Sequence, residues 1–105
     1  AGQLRRPIIP AECTHNAHMY YLLLPSLEAR TAFIAGMRER GVQTVFHYIP
    51  LHSSPAGDRL GRVAGTMEVT DDISNRLVRM PLWLGLEQQL DQVLAAADAT
   101  IAQGT

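Results

Sequence analysis

The most chemically distinctive stretch of the sequence is HYIPLH, at residues 47–52. His47 and Tyr48 end a predicted strand, and His52 follows in a loop that Pro50 constrains. Imidazole and phenol groups donate and accept hydrogen bonds near neutral pH, which suits the binding of hydroxyl-rich or phosphorylated ligands. Binding residues also collect where strands open into loops. On residue types alone, a structural role in which the polar tips bond to the backbone is favoured.

The sequence also contains the residue types of a metal site. Cys13, His15 and His18 are closely spaced. His47 or His52 would complete a tetrahedral set. The spacing is a weak signal, because zinc ligands usually come in short-spaced pairs on turns and His18 begins a predicted strand. We therefore predict no metal, with the histidines lining the strand entry and Cys13 as a small buried apolar group.

Nucleophilic catalysis is poorly supported by the serine positions. Ser53 and Ser54 directly follow His52, and no strand–turn–helix elbow surrounds them. Residues 57–65 are rich in glycine but lack the spacing of a dinucleotide-binding loop. Neither feature therefore indicates nucleophilic catalysis or dinucleotide binding.

Composition describes an ordinary globular domain. The chain has 105 residues, 47% hydrophobic and 18% charged, with a formal net charge of -1. This balance argues against a nucleic-acid or anionic-membrane partner, and no apolar run approaches the roughly 20 residues of a membrane helix. Cys13 is the only cysteine, so a disulfide within the chain is excluded and a reducing, cytoplasmic compartment is predicted. All 9 basic residues are arginine, so this chain cannot supply a Schiff-base lysine.

Apolar patterning predicts three strands, at residues 18–24, 42–48 and 78–84. Pro81 restricts the third strand to a short or bulged form. A helix between the first two strands makes them run parallel, and the simplest sheet places the third strand between them, antiparallel. The predicted fold class is α+β, a small three-stranded mixed sheet with helices packed on one face.

Helices are predicted on both sides of an irregular segment. The first covers residues 27–40, with Ser26 as its N-cap and Gly41 at its left-handed end. Residues 50–70 are predicted to be a loop with one helical turn, after which Thr70 caps a short helix. Six apolar residues at helical spacing predict the last helix: Leu86, Leu90, Val93, Leu94, Ala97 and Ile101.

The predicted sheet has helices on only one of its faces. Tyr20, Leu22 and Trp83 are expected on the other face, where they would leave an apolar surface uncovered. This surface indicates a missing partner domain.

Three stretches resemble the C-terminal part of the DegT/DnrJ/EryC1/StrS nucleotide-sugar aminotransferases. They are CTHNAHMYY at residues 13–21, VFHYIPLHSSPAG at 45–57 and SNRLVRMPLW at 74–83. The resemblance extends over residues 7–101 in the right order, and its first two stretches are the more specific. Within the family, the chain is most similar to the transaminases that convert dTDP-4-keto-6-deoxyglucose to dTDP-4-amino-4,6-dideoxygalactose.

This resemblance implies a fold-type I parent enzyme, a homodimer that uses pyridoxal 5'-phosphate to move an amino group from glutamate to a dTDP-4-keto-6-deoxy sugar. Residues 15–105 would be its small C-terminal domain. Residues 1–14 would link this domain to a large domain that carries the cofactor and the Schiff-base lysine. The chain alone is therefore expected to bind no cofactor, to contain no catalytic residue and to be inactive.

The resemblance also changes the interpretation of residues 47–52. In such enzymes the matching segment faces the active-site cleft, which implies substrate-binding roles for His47, Tyr48 and His52. His52 is the best candidate for contacting the sugar or its phosphates. Two alternatives stay open: a free-standing α+β module that dimerises through its exposed sheet face, and the small Cys/His metal-binding domain described above.

Overall fold

The computed structural model describes residues 4–104, which form three strands and four α-helices. The strands are β1 (Tyr21–Leu23), β2 (Val45–Phe46) and β3 (Leu77–Arg79). The α-helices are α1 (Leu27–Glu39), α2 (Pro55–Leu60), α3 (Glu68–Arg76) and α4 (Leu90–Ala102). Short 3-10 turns occupy Leu51–Ser53 and Leu86–Gln88. In this described range no helix is both long and apolar enough to cross a bilayer.

The sheet has β3 at its centre, between β1 and β2 and antiparallel to both. This arrangement confirms the predicted strand order and the α+β fold class. The sheet is antiparallel rather than mixed, because β1 and β2 run in the same direction but do not pair with each other. Arg5 lengthens the edge beside β1 through two backbone hydrogen bonds with Leu23, each 2.9 Å long.

The apolar core lies between the sheet and the helices α1 and α4. Ala29, Phe33 and Met37 are spaced by four residues, so they share one face of α1 and are all buried. The sheet and α4 complete this core with Leu22, Leu24, Val78, Val93, Ala96 and Ala97. The two helices approach closely at Gly36, where a Cβ atom would lie 2.7 Å from Cγ2 of Thr100.

Helix α1 begins and ends as its sequence predicts. The Oγ atom of Ser26 accepts a hydrogen bond of 3.1 Å from the backbone N–H of Ala29. At the other end, Gly41 has a φ of 76°, a left-handed conformation that glycine adopts without steric cost.

Arg30 fastens α1 to two other parts of the fold. Its Nη1 donates a hydrogen bond of 2.9 Å to the carbonyl oxygen of Ser74 in α3. Its guanidinium also lies 5.3 Å from the ring centroid of Phe46 in β2. Burial lowers the pKa of Arg30 from its ordinary value, because desolvation disfavours the charged form.

All three strands are shorter than the sequence pattern predicts. β1 begins at Tyr21, β2 contains only Val45–Phe46, and β3 ends at Arg79. Strand ends depend on a paired neighbour, which local patterning does not report. Pro81 cannot donate a ladder hydrogen bond, which agrees with the early end of β3. His47 therefore lies beyond β2 rather than within it.

Two of the predicted helix boundaries are wrong. Helix α3 begins at Glu68, with Met67 in the N-cap position, so Thr70 lies inside the helix and does not cap it. The last predicted helix is interrupted, because Leu86–Gln88 form a 3-10 turn and α4 begins at Leu90.

The apolar face predicted for the last helix also differs from the observed one. α4 turns Val93, Ala96 and Ala97 toward the core, and it leaves Leu90 and Leu94 exposed. Small side chains at positions 96 and 97 allow α4 to pack closely against its neighbours. The larger leucines therefore lie on its outer side.

The face of the sheet away from α1 and α4 is open. Trp83 is 51% exposed there, as predicted. Leu22 is buried in the core, so the prediction for this residue is wrong, whereas Tyr20, which precedes β1, is 39% exposed. Alternation instead directs Tyr21 and Arg79 to the open face.

Candidate functional site

His47 and Tyr48 lie where the chain leaves β2. Their rings meet edge to face, with centroids 4.7 Å apart. The guanidinium of Arg79, on β3, lies 5.7 Å from the centroid of the Tyr48 ring. Nδ1 of His47 is buried and has no hydrogen-bond partner within residues 4–104. A buried polar atom without a partner is costly, which is a reason to expect a further group beside this residue.

His52 belongs to the 3-10 turn Leu51–Ser53 and is held by α3. Its Nε2 lies 2.7 Å from Oδ1 of Asp71. The His52 side chain is only 16% exposed, whereas that of Asp71 is 52% exposed. The pair thus fixes a largely buried imidazole to Asp71, which lies 19 residues later in the chain on α3.

The turn that carries His52 is built by Ser54 and the residues around it. The Oγ atom of Ser54 donates a hydrogen bond of 2.8 Å to the carbonyl oxygen of Leu51 and accepts one of 3.0 Å from the backbone N–H of Gly57. Ser54 is therefore the N-cap of α2, and Pro55 occupies the first helical position, where its missing N–H is not needed. Ser54 thus has a structural role in this turn.

An open cleft of about 980 Å³ lies beside His52. Its walls are the 3-10 turn Leu51–Ser53, α2, α3 and the chain between these two helices. Its apolar lining includes Leu51, Ala56, Leu60, Val63 and Met67, and its polar lining includes His52, Asp58, Arg62 and Thr70. A mostly apolar surface with a few polar groups is typical of small-molecule sites.

A second cavity, of about 420 Å³, lies on the open face of the sheet. Its lining includes His18, Gln43, Val45, Arg79, Pro81 and Trp83. The three predicted site residues thus fall into two groups. His47 and Tyr48 lie close to Arg79, and His52 lies at the cleft beside α3.

Residues 2–97 match the sequence profile of the DegT/DnrJ/EryC1/StrS aminotransferase family. The chain belongs to this family. The family resemblance of the three sequence stretches is thereby confirmed, whereas the particular dTDP-sugar transaminase is a finer assignment that the match does not address.

Solved aminotransferases share the fold of this DegT/DnrJ/EryC1/StrS chain. One is the aminotransferase TlmJ from Streptoalloteichus hindustanus, with a TM-score of 0.82 and 25% identity over 97% of this chain and 27% of that one. Another is DesV from S. venezuelae, in complex with a ketimine intermediate, with a TM-score of 0.74 and 21% identity over 95% of this chain and 28% of that one. A third is the putative sugar aminotransferase Spr1654 from Streptococcus pneumoniae in its apo form, with a TM-score of 0.63 and 17% identity over 96% of this chain and 27% of that one.

This family member therefore corresponds to about a quarter of the length of the solved aminotransferases that it resembles. The similarities below 25% identity describe its fold alone. They agree with the α+β arrangement of β1, β2 and β3 against α1 and α4.

The residues considered for a metal site are separated in this DegT/DnrJ/EryC1/StrS domain. Within residues 4–104, no three His, Cys, Asp or Glu side chains are placed to hold an ion together. Nδ1 of His18 bonds to Oδ1 of Asn16 at 2.6 Å. Cys13 is exposed, so the expectation that it would be a buried apolar group is wrong.

Asp71 is a site residue that sequence reasoning missed. Asp71 and Asp72 both follow Thr70, and an adjacent acidic pair in this position is typical of the first turn of a helix rather than of a binding site. The partner of Asp71 is distant in sequence, and no periodic pattern joins it to His52. Only the fold brings the turn and α3 together.

A double-mutant cycle on His52 and Asp71 is expected to show coupling. The changes His52→Gln and Asp71→Asn should be non-additive by about 0.5–1 kcal/mol in the free energy of unfolding, because together they remove one partly exposed pair. Urea unfolding of the four proteins measures this quantity. Asp72→Asn is the matched control: Asp72 pairs with Arg76 instead, at 3.4 Å, so it should combine additively with His52→Gln. If the effects of Asp71→Asn and His52→Gln are additive, the two side chains do not stabilise the fold through their interaction.

Proposed function

We propose that this chain is the small C-terminal domain of a sugar aminotransferase that depends on pyridoxal 5'-phosphate. The parent enzyme transfers an amino group from glutamate to a dTDP-4-keto-6-deoxy sugar. The observation that carries this proposal is the family match over residues 2–97. The chain also shares its fold with part of solved aminotransferases whose chains are about four times longer. The three family-like sequence stretches support the finer assignment to dTDP sugars, and one of them, residues 45–57, contains His47, Tyr48 and His52.

The proposed division of the parent leaves its cofactor chemistry outside this chain. Residues 1–14 link the domain to a large domain, and residues 15–105 form the small domain itself. Pyridoxal 5'-phosphate supplies the electron sink for amino-group transfer when it is bound. All 9 basic residues of this chain are arginine, so it offers no lysine to hold that group covalently. The isolated chain is accordingly proposed to be inactive and to contain no catalytic residue.

The contribution of this domain is a wall of the substrate cleft. When Nε2 of His52 donates to Asp71, Nδ1 remains as an acceptor for a sugar hydroxyl. In the protonated ring both nitrogens donate, which suits a phosphate oxygen. Asp71 limits the rotation of the imidazole and so orients whichever atom meets the substrate. His47 and Tyr48 lie apart from this cleft, beside Arg79 on β3, and are proposed as further substrate-binding residues.

The proposal includes the partners of the parent enzyme. Its ligands are the nucleotide sugar and glutamate, and the parent acts as a homodimer in the cytoplasm. The net charge of -1 supports a protein without a nucleic-acid partner, since nucleic-acid binding depends on a surplus of basic residues. The uncovered sheet face supports a large domain seated against this one.

Titration of the chain with dTDP-4-keto-6-deoxyglucose, followed by amide NMR, tests the substrate assignment. We expect shifts concentrated in residues 48–57, because these residues approach the cleft from β2 through α2. His52→Ala should remove most of the response, since it deletes the imidazole that faces the cleft. His15→Ala, at an exposed histidine outside this region, is the control and should leave the response intact. Shifts in other regions, or no shifts at millimolar ligand, would contradict the proposal that this domain binds the nucleotide sugar without the large domain.

A further inference from the structure

Arg30, on α1, is a half-buried cation without a carboxylate beside it. Neither of the two ion pairs in the described part of the chain includes this residue. Its Nε atom is buried and has no hydrogen-bond partner within residues 4–104. Desolvation of a charge that no opposite charge neutralises is costly, and an uncharged side chain of similar length would avoid that cost. The position therefore indicates that the guanidinium does more than fill space.

The guanidinium closes the C-terminal end of α3. The last four carbonyl groups of a helix lack partners within the helix itself. Nη1 of Arg30 donates its 2.9 Å hydrogen bond to one of them, that of Ser74, and the backbone N–H of Leu24 donates one of 3.0 Å to the carbonyl oxygen of Arg76. A positive charge at this end also meets the negative end of the helix dipole. The helix end thus takes the place of the missing carboxylate.

Ser74 lies one helical turn from the residue that orients His52. Its Oγ atom donates a hydrogen bond of 3.1 Å to the carbonyl oxygen of Asp71, whose carboxylate lies 2.7 Å from Nε2 of His52. A helix advances by about 1.5 Å per residue, so only about 4.5 Å of α3 separates the Arg30 contact from Asp71. A displacement of the end of α3 is therefore passed on to the imidazole.

The same guanidinium also packs against β2. It lies 5.3 Å from the ring centroid of Phe46. Phe46 pairs with Val78, which is fully buried, so its ring lies on the helix side of the sheet and away from the open face. His47 and Tyr48 follow directly, at the point where the chain leaves β2. The stack of a planar guanidinium on this ring thus restricts the point from which they depart.

We propose that Arg30 is a positioning residue, which sets the His47–Tyr48 group relative to the His52–Asp71 pair. One planar side chain contacts both the helix that carries Asp71 and the strand that ends before His47. Arg30 is absent from the lining of the cleft beside His52, so it acts through these residues and not by touching a ligand. Their assignment to substrate binding rests on the proposed function, but the positions of their rings can be measured without a ligand.

The ring-nitrogen NMR signals of the two histidines test the proposal in the 105-residue chain, because they depend on tautomer and hydrogen bonding. Arg30→Gln should move the signals of His52 toward those of an imidazole free in water, since the end of α3 loses its cap. Arg30→Lys retains a charged donor for α3 but loses the planar stack. It should leave the signals of His52 in place and move those of His47. Phe46→Leu should have the same effect, because it removes only the ring.

Arg40→Gln is the matched control. Arg40 is also a half-buried arginine of α1, and its Nη1 donates a hydrogen bond of 2.9 Å to the carbonyl oxygen of Gly36 in the same helix. Its substitution should leave both histidine rings unchanged. Binding of dTDP-4-keto-6-deoxyglucose provides a second readout. Arg30→Gln should weaken it by about tenfold, the usual cost of one misplaced hydrogen-bonding group, and Arg40→Gln should not weaken it.

Three results would overturn the proposal. The first is an unchanged His52 ring in Arg30→Gln, with folding checked by circular dichroism. The second is an unchanged His47 ring in Arg30→Lys, which has the same meaning if Arg30→Gln does not fold. The third is an equal response of both rings to Arg40→Gln, which would assign the effect to α1 as a whole. If the unaltered chain binds no nucleotide sugar, the proposed function is contradicted instead, and the ring signals still decide the role of Arg30.

Discussion

Phe33→Ala is expected to lower the free energy of unfolding by about 3–5 kcal/mol, the usual effect of truncating a fully buried aromatic residue. Phe33 has 0% exposure and lies at the middle of the buried face of α1, between Ala29 and Met37. Its removal leaves a cavity between α1 and the sheet that the surrounding side chains cannot fill. Domains of this size are stable by only about 5–15 kcal/mol, so the loss is a large part of the total.

Thermal and urea unfolding measure the effect of Phe33→Ala. The midpoint temperature should fall by more than about 10 °C, given the usual relation between stability and melting temperature for a domain of this length. Leu84→Ala is the matched control, because Leu84 is 101% exposed and its truncation should change stability by no more than about 0.5 kcal/mol. Equal effects of the two substitutions would show that the core does not lie where α1 meets the sheet.

Helix α1 shows which parts of this fold can be predicted from sequence. Its start and its end depend on chemistry within a few residues: the hydroxyl of Ser26 meets a nearby N–H, and Gly41 adopts a left-handed conformation. The spacing of its apolar residues also identifies the buried face. These signals are local, so they appear in the sequence itself.

Strand lengths and the outer face of α4 depend on distant neighbours. The second strand is predicted over residues 42–48, but only two residues pair, because β3 offers partners only to Val45 and Phe46. Similarly, six apolar residues at helical spacing predict the buried face of the last helix, but Leu94 lies on its exposed side. Packing against α1 decides which face is buried, and sequence spacing permits more than one choice.

The candidate site was identified in part from residue types and in part from the family resemblance. The HYIPLH segment was found because two imidazoles and a phenol are concentrated in six residues. Its division into two groups, with Tyr48 near Arg79 and His52 bonded to Asp71, follows from the antiparallel pairing of β2 with β3 and from the return of α3. The sequence around Arg79 contains no comparable signal, since an arginine in a strand pattern is usually solvated.

Gly57→Ala is expected to displace the turn that carries His52. A Cβ atom at Gly57 would lie 1.6 Å from the carbonyl oxygen of Leu51 and 2.9 Å from Oγ of Ser54. The first of these atoms is backbone, so no side-chain rotation relieves the overlap, and the turn or α2 must move. The same carbonyl accepts the hydrogen bond from Ser54, so the movement also disturbs the N-cap of α2. Strain of this kind typically costs about 1–3 kcal/mol.

The readout for Gly57→Ala is local as well as global. Amide resonances of residues 51–57 should move, and the thermodynamic coupling between His52 and Asp71 should fall toward zero, while resonances of α1 remain in place. Ala56→Ser, which adds one atom at the adjacent exposed position, should leave both quantities unchanged. Retention of the His52–Asp71 coupling in Gly57→Ala would mean that the turn tolerates a side chain at position 57. Loss of the coupling would show that Gly57 determines where the imidazole of His52 lies, although Gly57 makes no hydrogen bond to His52. The physical reason is that only a residue without a Cβ atom permits α2 to begin so close to Leu51.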